Sequence, residues 1–366
     1  MKLAFVFLTT LFLSSSVISA DWNVWRGDVA NSGVSKGKLE TNPSVIWSFE
    51  ASDGTESTPT IANGMVYITT LDGNLYALSL KDGSEKWKYA TDEEIKSSPT
   101  VYQGTVYFGE QSGFLHAVNA SDGALKWKYE TEGEVISSVA PQNGVLYFGS
   151  YDNHIHAVDA KTGKMLWKVE TDGYVHGTPA LTKTELAVGG CDGLMHVIDL
   201  TTGKALDGID MGGYVAGSAM IKDKRAYVGT FENQVRAIDL EKGKTLWSYQ
   251  HEERLFAYYS SPAYAGDRLL IGGRDKMLKA LSLADGKELW TVRVRGKIDS
   301  SPVVVGEHVL FGDVAGKLFI HKISDGTKVW EYDTGDALVG SPAMTSDGFI
   351  VGLTNGMILR FGKKES

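Results

Sequence analysis

Aligned on a recurring Ser or Thr, the sequence sets two carboxylates, an ammonium, an imidazole and a phenol at one equivalent position: Glu56, Lys96, Ile136, His176, Ala216, Tyr259, Asp299 and Val339. Brought together, Glu56, Lys96, His176 and Asp299 make a polar pocket, and Tyr174, Tyr214 and Tyr259 offer flat apolar faces to a planar or peptide ligand. A carboxylate there, Asp299 or Glu56, is the candidate general base of any enzymatic reading. The same residues also suit a water-filled channel whose charges neutralise one another.

Other chemistry is thin. His154 and His156 share one strand face, which suits a metal ion, yet His154, His156 and His196 all lie on repeat strands where packing accounts for them. No Gly-rich phosphate loop, zinc-spaced His/Cys cluster or nucleophile elbow occurs. The single Cys191 has no partner for an internal disulfide. One irregularity interrupts the spacing: Trp to Ser/Thr is 11 residues in most units, 12 from Leu206 to Ser218 and 14 from Trp247 to Ser261. The surplus falls in "SYQHEERLFAYYS", and excursions on a regular scaffold are where binding concentrates. His251, Glu252, Glu253 and Arg254 are its candidates, whereas Phe256 and Tyr258 also suit the core.

The elements that must position these groups are repeats. "ALSLKDGSEKW", "AVNASDGALKW", "AVDAKTGKMLW", "AIDLEKGKTLW" and "ALSLADGKELW" are near-copies, and their Trp falls at 47, 87, 127, 167, 247, 290 and 330, with Leu206 in the missing place. A period of about 40 residues signals a propeller or solenoid. Each unit reads as four short strands joined by tight turns, without a helical period. The turn Gly, Gly163 for example, stands where a hairpin needs positive φ. Trp47, Trp87, Trp127, Trp167, Trp247, Trp290 and Trp330 read as wedge fillers between blades rather than ligand sites.

Eight Ser/Thr positions, at 58, 98, 138, 178, 218, 261, 301 and 341, predict eight inner strands. They suit hydrogen bonds between blades. The last unit stops before its Trp strand, and "SVIWSFE" (44–50) has no unit of its own. The prediction is an all-β, eight-bladed propeller of four-stranded antiparallel blades, closed by that N-terminal strand. Its innermost strands line the channel, with the Glu56 ring facing inward and Thr55, Ile95, Val135 and their equivalents facing the core.

The motif "AVDAKTGKMLW" resembles the A-x-D-x-x-T-G-K-x-x-W tryptophan-docking motif of the pyrroloquinoline-quinone (PQQ) repeat propellers, and "DWNVWRGDVANSG" (21–33) is similar to the segment that begins many exported bacterial members. Two branches follow: quinoprotein dehydrogenases, and binding propellers resembling the outer-membrane assembly factor BamB. The dehydrogenase branch implies vicinal cysteines, a calcium site and long capping insertions, whereas this chain has one Cys and units almost free of insertions. The resemblance therefore implies a non-enzymatic envelope propeller, monomeric and without a cofactor, that binds an envelope protein or polypeptide segment. The alternatives are a minimal dehydrogenase using PQQ with calcium, and a receptor for a small ligand or glycan.

Composition fits an exported globular chain. With 43% hydrophobic and 22% charged residues, a large core can form, and a net charge of -9 disfavours nucleic acid. Lys2, the apolar run "LAFVFLTTLFL" and small Ala20 give the order of a signal peptide over residues 1–20, too short for a stable membrane anchor and with no following Cys to take a lipid. Residues 21–43 are then a leader packing on the propeller, and 44–366 the propeller itself, in the periplasm or secreted.

Overall fold

Strand burial follows from position in the wedge. In the second unit, Thr105–Gly109 is buried throughout, while the outermost strand, Leu125–Glu130, alternates between exposed and half-buried residues. A strand packed between two neighbouring sheets must be apolar on both faces; one at the rim needs only half of its side chains to pack. The computed structural model describes residues 22–364, so the signal-peptide expectation lies outside the described residues.

Among the described residues eight sheets form the ring, each built on four antiparallel strands, with a single 3-10 turn at Trp25–Gly27. Blades one to seven take their strands in sequence order. Blade eight is composite: Ser44–Glu50 pairs antiparallel with Met357–Gly362, which continues to Gly348–Gly352 and Ala343–Met344. Closure by the N-terminal strand is thus as predicted. Blade seven gains a fifth, parallel strand, because Val34–Ser35 of the leader pairs with Val303–Val305.

The recurring hydroxyls complete the circle. Each accepts the backbone N–H of its counterpart in the preceding blade, from Thr58 N–H to Ser98 Oγ at 2.9 Å through to Ser301 N–H to Ser341 Oγ at 2.9 Å. The last bond, Ser341 N–H to Thr58 Oγ1 at 2.9 Å, joins residues 283 apart. All eight positions therefore form the interblade bonds expected of them.

Tryptophan docking links the outer parts of the blades. The indole N–H of Trp47, Trp87, Trp167, Trp247 and Trp290 donates to the carbonyl of Leu80, Ala120, Leu200, Leu283 and Ile323 in the next blade, at 2.9 to 3.3 Å. The ring lies flat on the next turn glycine: a Cβ on Gly163 would stand 2.7 Å from Trp127. Positive φ and close approach thus demand the same glycine. Trp330 packs instead on Phe349 and Phe361 of blade eight.

Leu206 does not hold the missing tryptophan place. Ile198 pairs with Ala205 as Val158 pairs with Met165, so the register gives Asp207 the place that Trp167 holds in blade three, and Leu206 is 48% exposed. Asp207 stands 11 residues before Ser218, the regular spacing. Without an indole there, Gly243 of blade five meets only Ile209, at 4.0 Å.

Candidate binding site in the central channel

The channel is built by the approach to each inner strand. Glu56, Lys96, Ile136, His176, Ala216, Tyr259, Asp299 and Val339 all line one cavity of about 350 Å³, and the hydroxyl ring from Thr58 to Ser341 lines it one step deeper. The residues just outside this layer, Thr55, Ile95, Val135, Val175, Val215, Tyr258, Ile298 and Leu338, are 0–1% exposed. Strand alternation therefore turns one set to the axis and the other to the core.

The leader makes the floor, which sequence reasoning missed. It passes along the inner strands, exchanging backbone bonds with Ile61, Val101, Leu181, Ile221, Tyr264 and Val304, and Trp25 reaches the cavity. Arg26, fully buried, donates to the carbonyls of Pro302 at 2.6 Å and Pro262 at 3.0 Å. Burial lowers its pKa to about 9 against a smaller opposing effect of Asp28. The cavity thus opens on the face that carries the loops from each outer strand to the next inner one.

Two aromatic groups flank the mouth. Tyr151 stacks on Tyr174 with centroids 4.6 Å apart, and its hydroxyl lies 2.8 Å from His176 Nδ1. Burial, then the neighbouring Cys191, raises the Tyr151 phenol to about 12. His176 is held below the usual imidazole range, first by burial and then by the charge of Lys96. On the other side, Arg274 gives Asp299 two hydrogen bonds of 2.9 Å each and covers the Tyr259 ring at 3.4 Å. Phe231 packs on Tyr259 at 4.7 Å. Lys96 lies 3.6 Å from Glu94, while Glu56 has no ion-pair or hydrogen-bond partner for its side chain among the described residues.

The remaining candidates lie outside the cavity. Tyr174 and Tyr214, 50% and 59% exposed, stand on the loops above it. Arg254 lies toward Tyr249 and Lys279, away from the channel lining. In the same extended loop Leu255 and Phe256 are 70% and 50% exposed, so Phe256 is not a core residue, whereas Tyr258 is. Arg274, Tyr151 and Phe231 went unpredicted, although one repeat position carries all three, with Leu71, Gln111, Cys191, Val314 and Thr354. Seven residues at this position, Arg274 being the exception, donate their backbone N–H to the loop layer that includes Glu94, Tyr174 and Tyr214.

The histidines on strands are packing groups. His156 Nδ1 lies 3.0 Å from the Tyr129 hydroxyl and its Nε2 3.0 Å from Asp152, and His196 Nε2 lies 2.7 Å from Asp192. Among the described residues no three His, Cys, Asp or Glu side chains gather as a metal site. In the cavity both Asp299 oxygens accept from Arg274, so a cation placed there would compete with the guanidinium for them.

The family described as outer membrane protein assembly factor BamB matches this sequence over residues 39–134, 90–213, 152–263 and 231–362. The chain belongs to this PQQ-repeat family. No curated protein matches it. Among solved structures, the PQQ-repeat ring here is similar to BamB from Moraxella catarrhalis, at 17% identity and TM-score 0.76, covering 88% of this chain and 100% of that one. It is also similar to a europium-containing methanol dehydrogenase, at 12% identity and TM-score 0.80, covering 94% and 98%. Quinohemoprotein alcohol dehydrogenase from Comamonas testosteroni matches at 14% identity and TM-score 0.76, covering 94% and 81%. At these identities the PQQ-repeat neighbours show a shared fold, which binding and catalytic proteins both use. Among the described residues no helix is long and apolar enough to cross a membrane.

Proposed function

We propose that this PQQ-repeat propeller is a non-enzymatic binding protein of the bacterial cell envelope, and that it receives a polypeptide partner on the face where the channel opens. One observation carries the reading: Tyr174, Tyr214, Leu255 and Phe256, on three successive interblade loops of that face, are each at least half exposed. The other end of the channel is occupied by the leader. Exposed aromatic and aliphatic side chains grouped on one surface are the composition of an interface centre. Family membership supports an envelope setting, and the expected export agrees with it.

A photo-crosslinking residue placed at 214 or 256 in the native host tests this directly. Both positions are expected to yield one defined partner band that a crosslinker at Asn143, on a turn of the opposite face, does not. Equal labelling from all three positions, or none, removes the proposal. Incubating the purified chain with PQQ and calcium, followed by a dye-linked alcohol oxidation assay, tests the dehydrogenase alternative. Neither tight binding nor turnover is expected.

A further inference from the structure

The channel mouth carries separated charge that is only partly compensated. Glu56 and Lys96 stand at the same depth on adjacent blades and His176 lies two blades beyond Lys96, all lining one cavity. Asp299 is neutralised by Arg274. Glu56 has no such partner among the described residues, and Lys96 has only Glu94, half exposed and 3.6 Å away. Tyr151 Oη lies 2.8 Å from His176 Nδ1; with the phenol as donor, the neutral imidazole carries its proton on Nε2.

Beneath these groups lies the hydroxyl ring. Each hydroxyl spends an acceptor site on a backbone N–H, and none donates to a protein acceptor among the described residues. Their O–H groups therefore remain available to a polar occupant. We propose that this cavity binds a small zwitterion of the α-amino-acid class. The ammonium meets Glu56, the carboxylate lies between Lys96 and His176 Nε2–H, and the hydroxyl ring completes the polar cradle. An α-amino acid carries its two charges on adjacent carbons, matching opposite charges on adjacent blades. A cavity of about 350 Å³ admits a molecule of that size with some water.

The arrangement predicts linkage. A carboxylate beside His176 offsets the Lys96 charge that helps to depress its pKa, so binding raises that pKa and tightens as pH falls through it. The test is calorimetric titration of the purified chain with L-alanine and L-leucine, and with N-acetylalanine and alaninamide, each of which keeps one charge. NMR titration of the His176 ring runs in parallel. Expected are saturable binding of a free amino acid, at least tenfold weaker binding of both blocked forms, and an upward shift of the His176 pKa. Glu56→Gln and Lys96→Met should each weaken binding at least tenfold with melting unchanged. Absence of saturable binding at 10 mM (roughly the weak end of specific affinity), binding of either blocked form as tight as that of alanine, or an unmoved His176 pKa would each overturn the proposal. The blocked ligands decide it on the unaltered chain even where a variant fails to fold.

Discussion

A single glycine per blade answers two demands, and they can be separated. Gly163 and Gly243 both have positive φ, at 70° and 59°, but only Gly163 lies under an indole. Alanine at either position meets the backbone strain; at 163 it must also push Trp127 away. Gly163→Ala is therefore expected to lower the urea midpoint clearly more than Gly243→Ala, by a further 1 to 3 kcal/mol or so in stability. Equal losses would show that the turn, not the ring, selects the glycine. Asp152 gives a pH test at the same scale. Burial alone would raise its carboxyl, but the hydrogen bond and charge of His156, and the charge of His154, hold it down at about 2. A carboxylate pKa depressed on folding contributes stability above its unfolded value of about 3.9 and loses that contribution as pH falls toward 2. Asp152→Asn should flatten that part of the acid stability profile, read from urea midpoints between pH 5 and 2.

The fourth blade shows what an element loses when its docking residue is absent. Its outer strand shortens to Ile209–Asp210, whereas the equivalent in blade three runs Met165–Glu170. Asp207→Trp would supply an indole to the Gly243 turn and a donor for the Leu240 carbonyl, and about 1 kcal/mol of added stability is expected. An unchanged or lowered urea midpoint would mean that the blade has adapted to its gap. Strand order and channel lining were legible because the repeat makes both a matter of register: one alignment sorted Glu56 from Thr55, and Lys96 from Ile95. Leu206 was misplaced by one residue, since a unit lacking its Trp offers no landmark for the register. Trp25 and Arg26 were illegible for a different reason. The leader has no period, and its contacts, such as Arg26 with Pro302, join positions that no repeat relates. Arg274 and Tyr151 lie between, on a repeat position whose side chains vary so widely that only the backbone bonds reveal its place beside the mouth.

At the scale of the molecule, stability is shared around a ring that has to be complete. Ser218→Ala would leave the buried Thr178 N–H without its acceptor, at a cost of about 1 to 3 kcal/mol. Removal of residues 21–50 takes away the strap, the channel floor and the outer strand of blade eight together. It is expected to lower melting of the whole domain rather than of one blade; a truncated chain melting cooperatively at the original temperature would contradict closure by Ser44–Glu50. That strand has a consequence in time as well. It leaves the ribosome long before its partner, Met357–Gly362. Until then Ser44–Glu50 waits without its neighbour. Pairing so distant in sequence is slow, and unpaired edges invite the wrong chain. The interval between the synthesis of Ser44–Glu50 and that of its partner is thus the period in which this protein most needs a guardian.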